Sequence, residues 1–222
     1  MTEVNSEIMV IMFIDVAGYT KMTTRLPREE FDKFHEIFDN ISIPLFQKYN
    51  GRVVKKIGDA FMVIFKSATD AVLCGMELQN TFMRNNKERS LRFPINIRVA
   101  LHMGEVLNRH DDIYGDAVNT TARIEGVAKE GHIVFSETVF SAMNKTEIPF
   151  VYLGAFRMKG LKYPIKLFRV KGSFEDVLKR RATKRKESKN AFLWFWVLVL
   201  LFLLGVLLFY TILNPKIFSL LF

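Results

Sequence analysis

The feature that most constrains this chain is an uncharged run of 23 residues near its C-terminus, at positions 191–213. A helix of about 20 apolar residues is long enough to cross the hydrocarbon core of a bilayer, so the run predicts one transmembrane helix. The run divides the sequence into a body at 1–178, a basic juxtamembrane linker at 179–190, the helix, and a short tail at 214–222. A body of this length predicts one well-packed domain.

The net charge of +9 is concentrated beside that run. Residues 179–222 contain eight Lys or Arg and one acidic residue, which leaves the body nearly balanced, with 24 basic and 22 acidic side chains. A nearly neutral body does not support nucleic-acid binding. Basic residues before a transmembrane helix favour anionic lipid headgroups and the cytoplasmic side, so we expect a single-pass membrane protein whose body lies in the cytoplasm. The alternative is a solvated basic linker without lipid contact.

The body has the sequence pattern of an α+β domain. Near-continuous apolar residues at 7–14 predict a buried strand, and apolar spacings of three and four at 27–49 predict an amphipathic helix. A hairpin is predicted at 52–57 and 61–65, followed by a helix at 68–83, a strand at 95–106 and a helix at 116–129. Further strands are predicted at 132–135, 150–153 and 164–170. This order contains βαββαβ, the ferredoxin-like arrangement of a sheet with helices packed on one face. The single cysteine, Cys74, excludes an intrachain disulfide.

Two aspartates stand at the ends of predicted strands. Asp15 closes the first strand in FIDVAGYT, and Asp59 occupies the tip of the hairpin in KKIGDAFMVIF. An aspartate beside a glycine at such a position is most often a turn former. In the predicted fold, however, the first strand pairs with the hairpin, so both carboxylates could reach one point at the sheet edge. Two hard oxygen ligands at that point would suit magnesium and a triphosphate.

Five motifs in order make the body recognisable: FIDVAGYT, VVKKIGDAFMVIF, IRVALHMGEV, DDIYGDAVNTTARIEGVA and LGAFRMKGLKYP. Over roughly residues 7–171 the chain resembles the class III adenylate and guanylate cyclase catalytic domain. The resemblance implies that Asp15 and Asp59 bind two Mg²⁺ or Mn²⁺ ions, assisted by the backbone carbonyl of Val16. It also implies a head-to-tail homodimer with two active sites at the subunit interface.

The same resemblance assigns roles to four further side chains. Arg98 matches the arginine that binds the triphosphate from the metal-bearing subunit, and Lys159 matches a phosphate-binding lysine. From the opposite subunit, Asn119 and Arg123 match the pair that positions the ribose and neutralises charge on the α-phosphate. Their spacing of four places both on one helical face. The alternatives are surface helix positions for this pair, and a salt bridge from Arg98 to a carboxylate such as Glu105.

The choice of base follows from Lys55 and Asp112, which match the two base-reading positions of the family. Lysine donates and aspartate accepts, as the Watson–Crick edge of adenine requires, whereas guanine reverses that order. Guanylate cyclases of this family carry glutamate where Lys55 stands, and strand alternation should turn the neighbouring Lys56 to the other face. The sequence therefore predicts an adenylate cyclase that converts ATP to cyclic AMP and pyrophosphate. The alternatives are a guanylate cyclase and a catalytically silent cyclase-like membrane regulator.

Overall fold

The computed structural model describes residues 5–24, 26–89, 93–109 and 112–213, while the side chains at 5, 181, 184–191, 193 and 207–213 lie outside the description. The strands are β1 (Asn5–Val16), β2 (Arg52–Ile57), β3 (Ala60–Phe65), β4 (Ile97–Arg109), β5 (Asp112–Tyr114), β6 (Ile133–Ser136), β7 (Phe150–Phe156) and β8 (Ile165–Val170). The helices are α1 (Tyr19–Thr23), α2 (Arg28–Lys48), α3 (Ala68–Arg89), α4 (Asp116–Glu125), α5 (Glu137–Ala142) and α6 (Phe174–Leu213).

The eight strands of the described chain form one sheet. Their order is β2-β3-β1-β4-β6-β8-β7, and β5 pairs with β4 outside this path. Strand β1 is antiparallel to both of its neighbours, β3 and β4, whereas β6 is parallel to β4. The strands β2, β3, β1 and β4 therefore have the ferredoxin-like arrangement that the βαββαβ order predicted.

Strand β1 is buried on both faces, which explains its near-continuous apolar sequence. Alternate residues from Val10 to Val16 pack in one core with α2 and α3, whereas Met9 and Ile11 pack on the opposite face with Ala117 of α4. The two helices of the βαββαβ order therefore share one face, as predicted, whereas α4, which follows that order in the chain, covers the second face. A missing side chain permits this close approach, since a Cβ on Gly104 of β4 would lie 3.0 Å from the Cβ of Ala117.

The hairpin of β2 and β3 carries Asp59 to the end of β1. Gly58 has a φ of +59° in its tight turn, a left-handed conformation that glycine adopts without steric cost. The register pairs Asp15 with Ala60 on one side and with Arg98 on the other. Because directly opposed residues of antiparallel strands share a face, the sheet brings Asp15, Asp59 and Arg98 to one corner.

The helix ends differ from the sequence prediction by a few residues. Helix α3 continues to Arg89, and α4 ends at Glu125, where the chain enters turns in which the Ala128 amide donates to the Ile124 carbonyl at 3.1 Å. The short elements α1, α5 and β5 were not predicted, because three to six residues give too little periodicity to recognise. The early end of α4 matters for the site, because it places Glu125 at the helix terminus.

Helix α6 begins in the body, and its backbone continues through the predicted linker at 179–190 and the predicted span at 191–213. Residues beyond Val177 form a second compact unit. Among the described side chains, no helix is long and apolar enough to cross a membrane, so the predicted transmembrane span is not supported. The predicted tail at 214–222 lies outside the described residues.

Candidate active site

An acidic corner lies where β1 ends beside the hairpin, and in it the carboxylates of Asp15, Asp59 and Glu125 surround the guanidinium of Arg98. Burial, then a side-chain hydrogen bond to Asp15 and the charge of Asp15, raises the pKa of Asp59 to about 7. Backbone hydrogen bonds from Asp59 itself and from Val16 act in the opposite direction. A buried carboxylate whose ionisation is opposed by a neighbouring carboxylate marks a position where a divalent cation would be stabilised.

The donor set of this corner fits a hard cation. Within the described part of the chain, no group of three or more His, Cys, Asp or Glu side chains is arranged to hold a metal ion. The two predicted ligands Asp15 and Asp59 are nevertheless adjacent, and carboxylate oxygens suit Mg²⁺ and Mn²⁺. Val16 has a buried side chain and a backbone paired with Ile97, and the role of its carbonyl as a further ligand stays a prediction.

Arg98 stands at the centre of the acidic corner. Its Nε donates to Oδ2 of Asp15 at 2.8 Å, and its Nη2 donates to the same oxygen. The Nη2 atom also lies 2.7 Å from Oε1 of Glu125. Glu105, the partner considered from the sequence, instead accepts a hydrogen bond from the hydroxyl of Ser6. The guanidinium predicted to bind a triphosphate is thus held by two carboxylates of its own chain.

Glu125 is a site residue that the sequence analysis missed. It is the last residue of α4, and burial raises its pKa, an effect that the charge of Arg98 opposes and the charge of Asp15 reinforces. The positions of Glu125 and Arg98 in the sequence give no sign of their contact, because that contact depends on how α4 crosses the sheet. The available signal was the motif itself, in which Glu125 follows Arg123 by two residues.

A second charged group, the edge pair, consists of Lys55 on β2 and Asp112 on β5. The Nζ of Lys55 donates to both carboxylate oxygens of Asp112, at 2.9 and 2.7 Å, and this hydrogen bonding lowers the pKa of Asp112. Lys56 turns elsewhere, with its Nζ 2.5 Å from Asp39 and 5.4 Å from the centre of the Phe61 ring. The structure therefore brings the two predicted base-reading residues together and separates Lys56 from them.

The predicted transition-state residues lie on α4, outside both charged groups. Asn119 is exposed and Arg123 is half-buried one turn later. The guanidinium of Arg123 lies against the loop before β8, where a Cβ on Gly160 would come within 3.0 Å of its Nη2. Exposed Lys159 precedes this glycine, so the structure brings the predicted phosphate-binding loop beside Arg123. The described hydrogen bonds and ion pairs of the acidic corner include neither Asn119 nor Arg123.

His102 belongs to the supporting structure of the sheet. Its Nδ1 lies 2.9 Å from the Oγ of Ser136, in a cluster that also includes Thr138. Burial lowers the pKa of His102 to about 4, so the ring is neutral at physiological pH. A neutral, hydrogen-bonded ring next to α4 supports packing rather than proton transfer.

A family comparison covers all of these groups at once. Residues 2–172 match the family described as the adenylate and guanylate cyclase catalytic domain. The chain belongs to this family. The matched residues of this cyclase domain include the acidic corner, the edge pair, α4 and the loop that carries Lys159.

Curated relatives are similar to the cyclase domain over only part of their own length. The chain is 35% identical over 167 residues to the serine/threonine-protein kinase pkn2 of Myxococcus xanthus, a match that covers 75% of this chain and 20% of that protein. It is 29% identical over 159 residues to the putative adenylate cyclase 3 of Rhizobium meliloti, covering 71% of this chain and 27% of that protein. The chain thus spans only about a fifth to a quarter of these two relatives.

Solved structures of both kinds of cyclase share the fold. The adenylyl cyclase CyaB from P. aeruginosa aligns with a TM-score of 0.71 at 23% identity, over 77% of this chain and 97% of that one. The guanylyl cyclase Cya2 aligns with a TM-score of 0.68 at 24% identity, over 77% of this chain and 94% of that one. Because the two scores are so close, the fold does not distinguish the adenine nucleotide from the guanine nucleotide.

Proposed function

We propose that the cyclase domain is an adenylate cyclase, which converts ATP to 3′,5′-cyclic AMP and pyrophosphate. The observation that carries this proposal is the edge pair, in which Lys55 and Asp112 are directly adjacent. Adenine offers an acceptor at N1 and a donor at its 6-amino group, which an ammonium and a carboxylate can bind. Guanine presents a donor and an acceptor in the reverse order and would leave both groups mismatched.

In this proposal Asp15 and Asp59, with the backbone carbonyl of Val16, would hold the divalent ions. Two bound Mg²⁺ or Mn²⁺ ions would supply Lewis acidity that lowers the pKa of the ribose 3′-hydroxyl and stabilises the departing pyrophosphate. The support is the adjacency of the two carboxylates and the raised pKa of Asp59, which both favour the arrival of positive charge.

Four side chains would act on the nucleotide itself. Arg98 and Lys159 bind the phosphates, Asn119 orients the ribose, and Arg123 neutralises the negative charge that develops at the α-phosphate. The 3′-hydroxyl releases its proton to solvent, and its oxygen forms a bond to the α-phosphorus while the bond from that phosphorus to pyrophosphate breaks. Positioning and charge neutralisation therefore supply most of the rate enhancement.

Each site would be shared by two copies of the chain in a homodimer. The acidic corner of one subunit would bind the phosphates, and α4 of the other would bring Asn119 and Arg123 to the reacting centre. The exposure of Asn119, and the separation of Arg123 from the described contacts of the acidic corner, support this division. A two-fold axis would then create two equal sites.

The test of this function is the identity of the product. The purified chain of 222 residues is incubated with ATP or GTP and with Mg²⁺ or Mn²⁺, and the cyclic product is identified by mass spectrometry. We expect cyclic AMP from ATP and little cyclic GTP from GTP. Cyclic GTP as the main product would favour a guanylate cyclase, and no product from either nucleotide would favour a silent regulator. An Asp59→Ala variant prepared in the same way should form neither product, which controls for a contaminating cyclase.

A membrane location, with the cyclase domain on the cytoplasmic side, stays a prediction from the sequence. It rests on the uncharged run at 191–213 and the basic residues that precede it. We expect the full chain to stay in the membrane pellet after alkaline carbonate extraction, and protease added outside intact cells to spare the domain. Release of the full chain into the carbonate supernatant would contradict the prediction.

A further inference from the structure

Arg98 contacts two carboxylates, of which Asp15 is a metal ligand in the proposed function and Glu125 has no role assigned there. Asp15 lies on the neighbouring strand β1, and its Oδ2 accepts hydrogen bonds from both Nε and Nη2 of the guanidinium. Glu125 lies at the end of α4, and its Oε1 is 2.7 Å from Nη2. The side chains of Asp15 and Glu125 are only 14% and 22% exposed, so water screens neither contact strongly.

The contact between Arg98 and Asp15 competes with metal binding. A carboxylate oxygen that accepts two hydrogen bonds from a guanidinium has little capacity left for a divalent cation. A cation bound through either oxygen of Asp15 offsets the negative charge of this carboxylate, so the attraction of Asp15 for Arg98 weakens. Of the two carboxylates that form described ion pairs with Arg98, Glu125 is then the one that keeps its full charge for the guanidinium.

Glu125 is well placed to keep that contact because α4 is firmly packed. The preceding residue, Ile124, is fully buried against Ala100 of the sheet in a small core, and Thr121 is also fully buried, with its hydroxyl bonded to the Ala117 carbonyl. The Oε1 atom of Glu125 is itself buried and accepts no hydrogen bond from the described residues, so its attraction to Arg98 is ionic. A buried acceptor without a hydrogen bond strongly favours a nearby cation.

We infer that Glu125 is a positioning residue, which holds the guanidinium of Arg98 ready for the triphosphate when Asp15 binds the divalent ion. The inference rests on the proposed function and deepens it. Glu125 acts through Arg98 and does not touch the nucleotide. Its loss should therefore weaken the binding of phosphates and leave the binding of the base and ribose unchanged.

The experiment compares Glu125→Gln with Glu130→Gln, a matched control at an exposed position in the loop after α4. Calorimetry with excess Mg²⁺ measures the affinity of the full chain for α,β-methylene-ATP, which is not cyclised, and for adenosine, which lacks phosphates. We expect Glu125→Gln to bind the triphosphate about tenfold more weakly, the order expected when a charged partner is lost, and adenosine within about twofold of wild type. Glu130→Gln should match wild type for both, and Glu125→Asp should restore part of the lost affinity.

Three results would overturn the inference. If Glu125→Gln binds the triphosphate with normal affinity while the wild type forms a cyclic product, Glu125 has no positioning role. The proposed function would then still stand. An equal loss for both compounds, together with a lower unfolding temperature, would show a merely structural role. A wild type that neither binds nor cyclises nucleotides would remove the proposed function and this inference together.

Discussion

In the acidic corner three carboxylates crowd around one arginine, whereas the edge pair joins one lysine to one aspartate. In the corner, burial and then the hydrogen bond and charge of Asp15 raise the pKa of Asp59 to about 7. In the edge pair, the hydrogen bond from Lys55 lowers the pKa of Asp112. The corner is therefore short of positive charge and favours a cation, while the edge pair is already balanced and must open before a base can enter.

The energetic cost of that opening is small. The side chains of Lys55 and Asp112 are 40% and 28% exposed, and ion pairs with this degree of exposure contribute only about 0–1 kcal/mol. A base that offers one acceptor and one donor could replace the contact at little cost. The comparison teaches that a site can be prepared in two ways, either by leaving charge uncompensated or by pairing groups weakly enough for a ligand to separate them.

The largest expected effect comes from breaking the acidic corner. Asp15→Ala or Asp59→Ala should lower turnover by at least about 1000-fold, because each removes a proposed metal ligand worth several kcal/mol. Circular dichroism should show a folded domain, since neither side chain packs in the core. Asp32→Ala, at an exposed position of α2, is the control and should keep normal turnover. Near-normal activity in either site variant would contradict the two-metal assignment.

Mixed dimers would show whether the acidic corner works with α4 of the same subunit or of the partner. Asp59→Ala and Arg123→Ala homodimers should each be inactive at both sites. When the two variants are co-expressed in equal amounts, about half of the dimers are mixed, and each has one intact site, so activity should recover to about a quarter of wild type. No recovery, with mixed dimers proven by a two-tag pull-down, would mean that each subunit builds its own site or that Arg123 is wrongly assigned.

Inverting the edge pair should change the choice of base and leave the acidic corner alone. Lys55→Glu combined with Asp112→Cys should lower kcat/KM for ATP by about 100-fold and affect GTP much less, because the donor and the acceptor are lost together. Lys56→Glu is the matched control, since Lys56 pairs with Asp39 and should not affect base choice. Equal losses for ATP and GTP in the double variant would show that these residues do not read the base.

Substitution of His102, which belongs to neither the acidic corner nor the edge pair, should have the smallest effect on activity. Burial lowers the pKa of His102 to about 4, below its ordinary 6.5, so the neutral ring stabilises the fold above pH 6.5 and this stability is lost as the pH falls towards 4. In His102→Gln that loss is absent. The difference in unfolding free energy between wild type and variant should therefore shrink by up to about 3 kcal/mol over this range, measured by urea unfolding at several pH values. If the unfolding free energies of wild type and His102→Gln change in parallel with pH, the assignment of His102 as a buried neutral residue is wrong.

Much of the fold was predictable from local patterns. The hairpin of β2 and β3 has almost the predicted bounds, because a glycine turn between two apolar runs is a local signal. Helix α4 was predicted as a helix at 116–129, but its position on the second face of the sheet was not predicted. The apolar run at 7–14 is compatible with burial on one face or on both, so only the packed structure shows that α4 covers the other side.

The candidate site, like the fold, was predictable only in part. The sequence by itself determined which residue types stand at the strand ends and on α4, and strand alternation already separated Lys55 from Lys56. Only the tertiary structure decided that Arg98 pairs with Asp15 and Glu125 instead of Glu105, and that Gly160 lies against Arg123. The physical reason is that these contacts join residues far apart in the chain. Their geometry is set by the register of β1 with β4 and by the path of α4 across the sheet, which local sequence patterns do not encode.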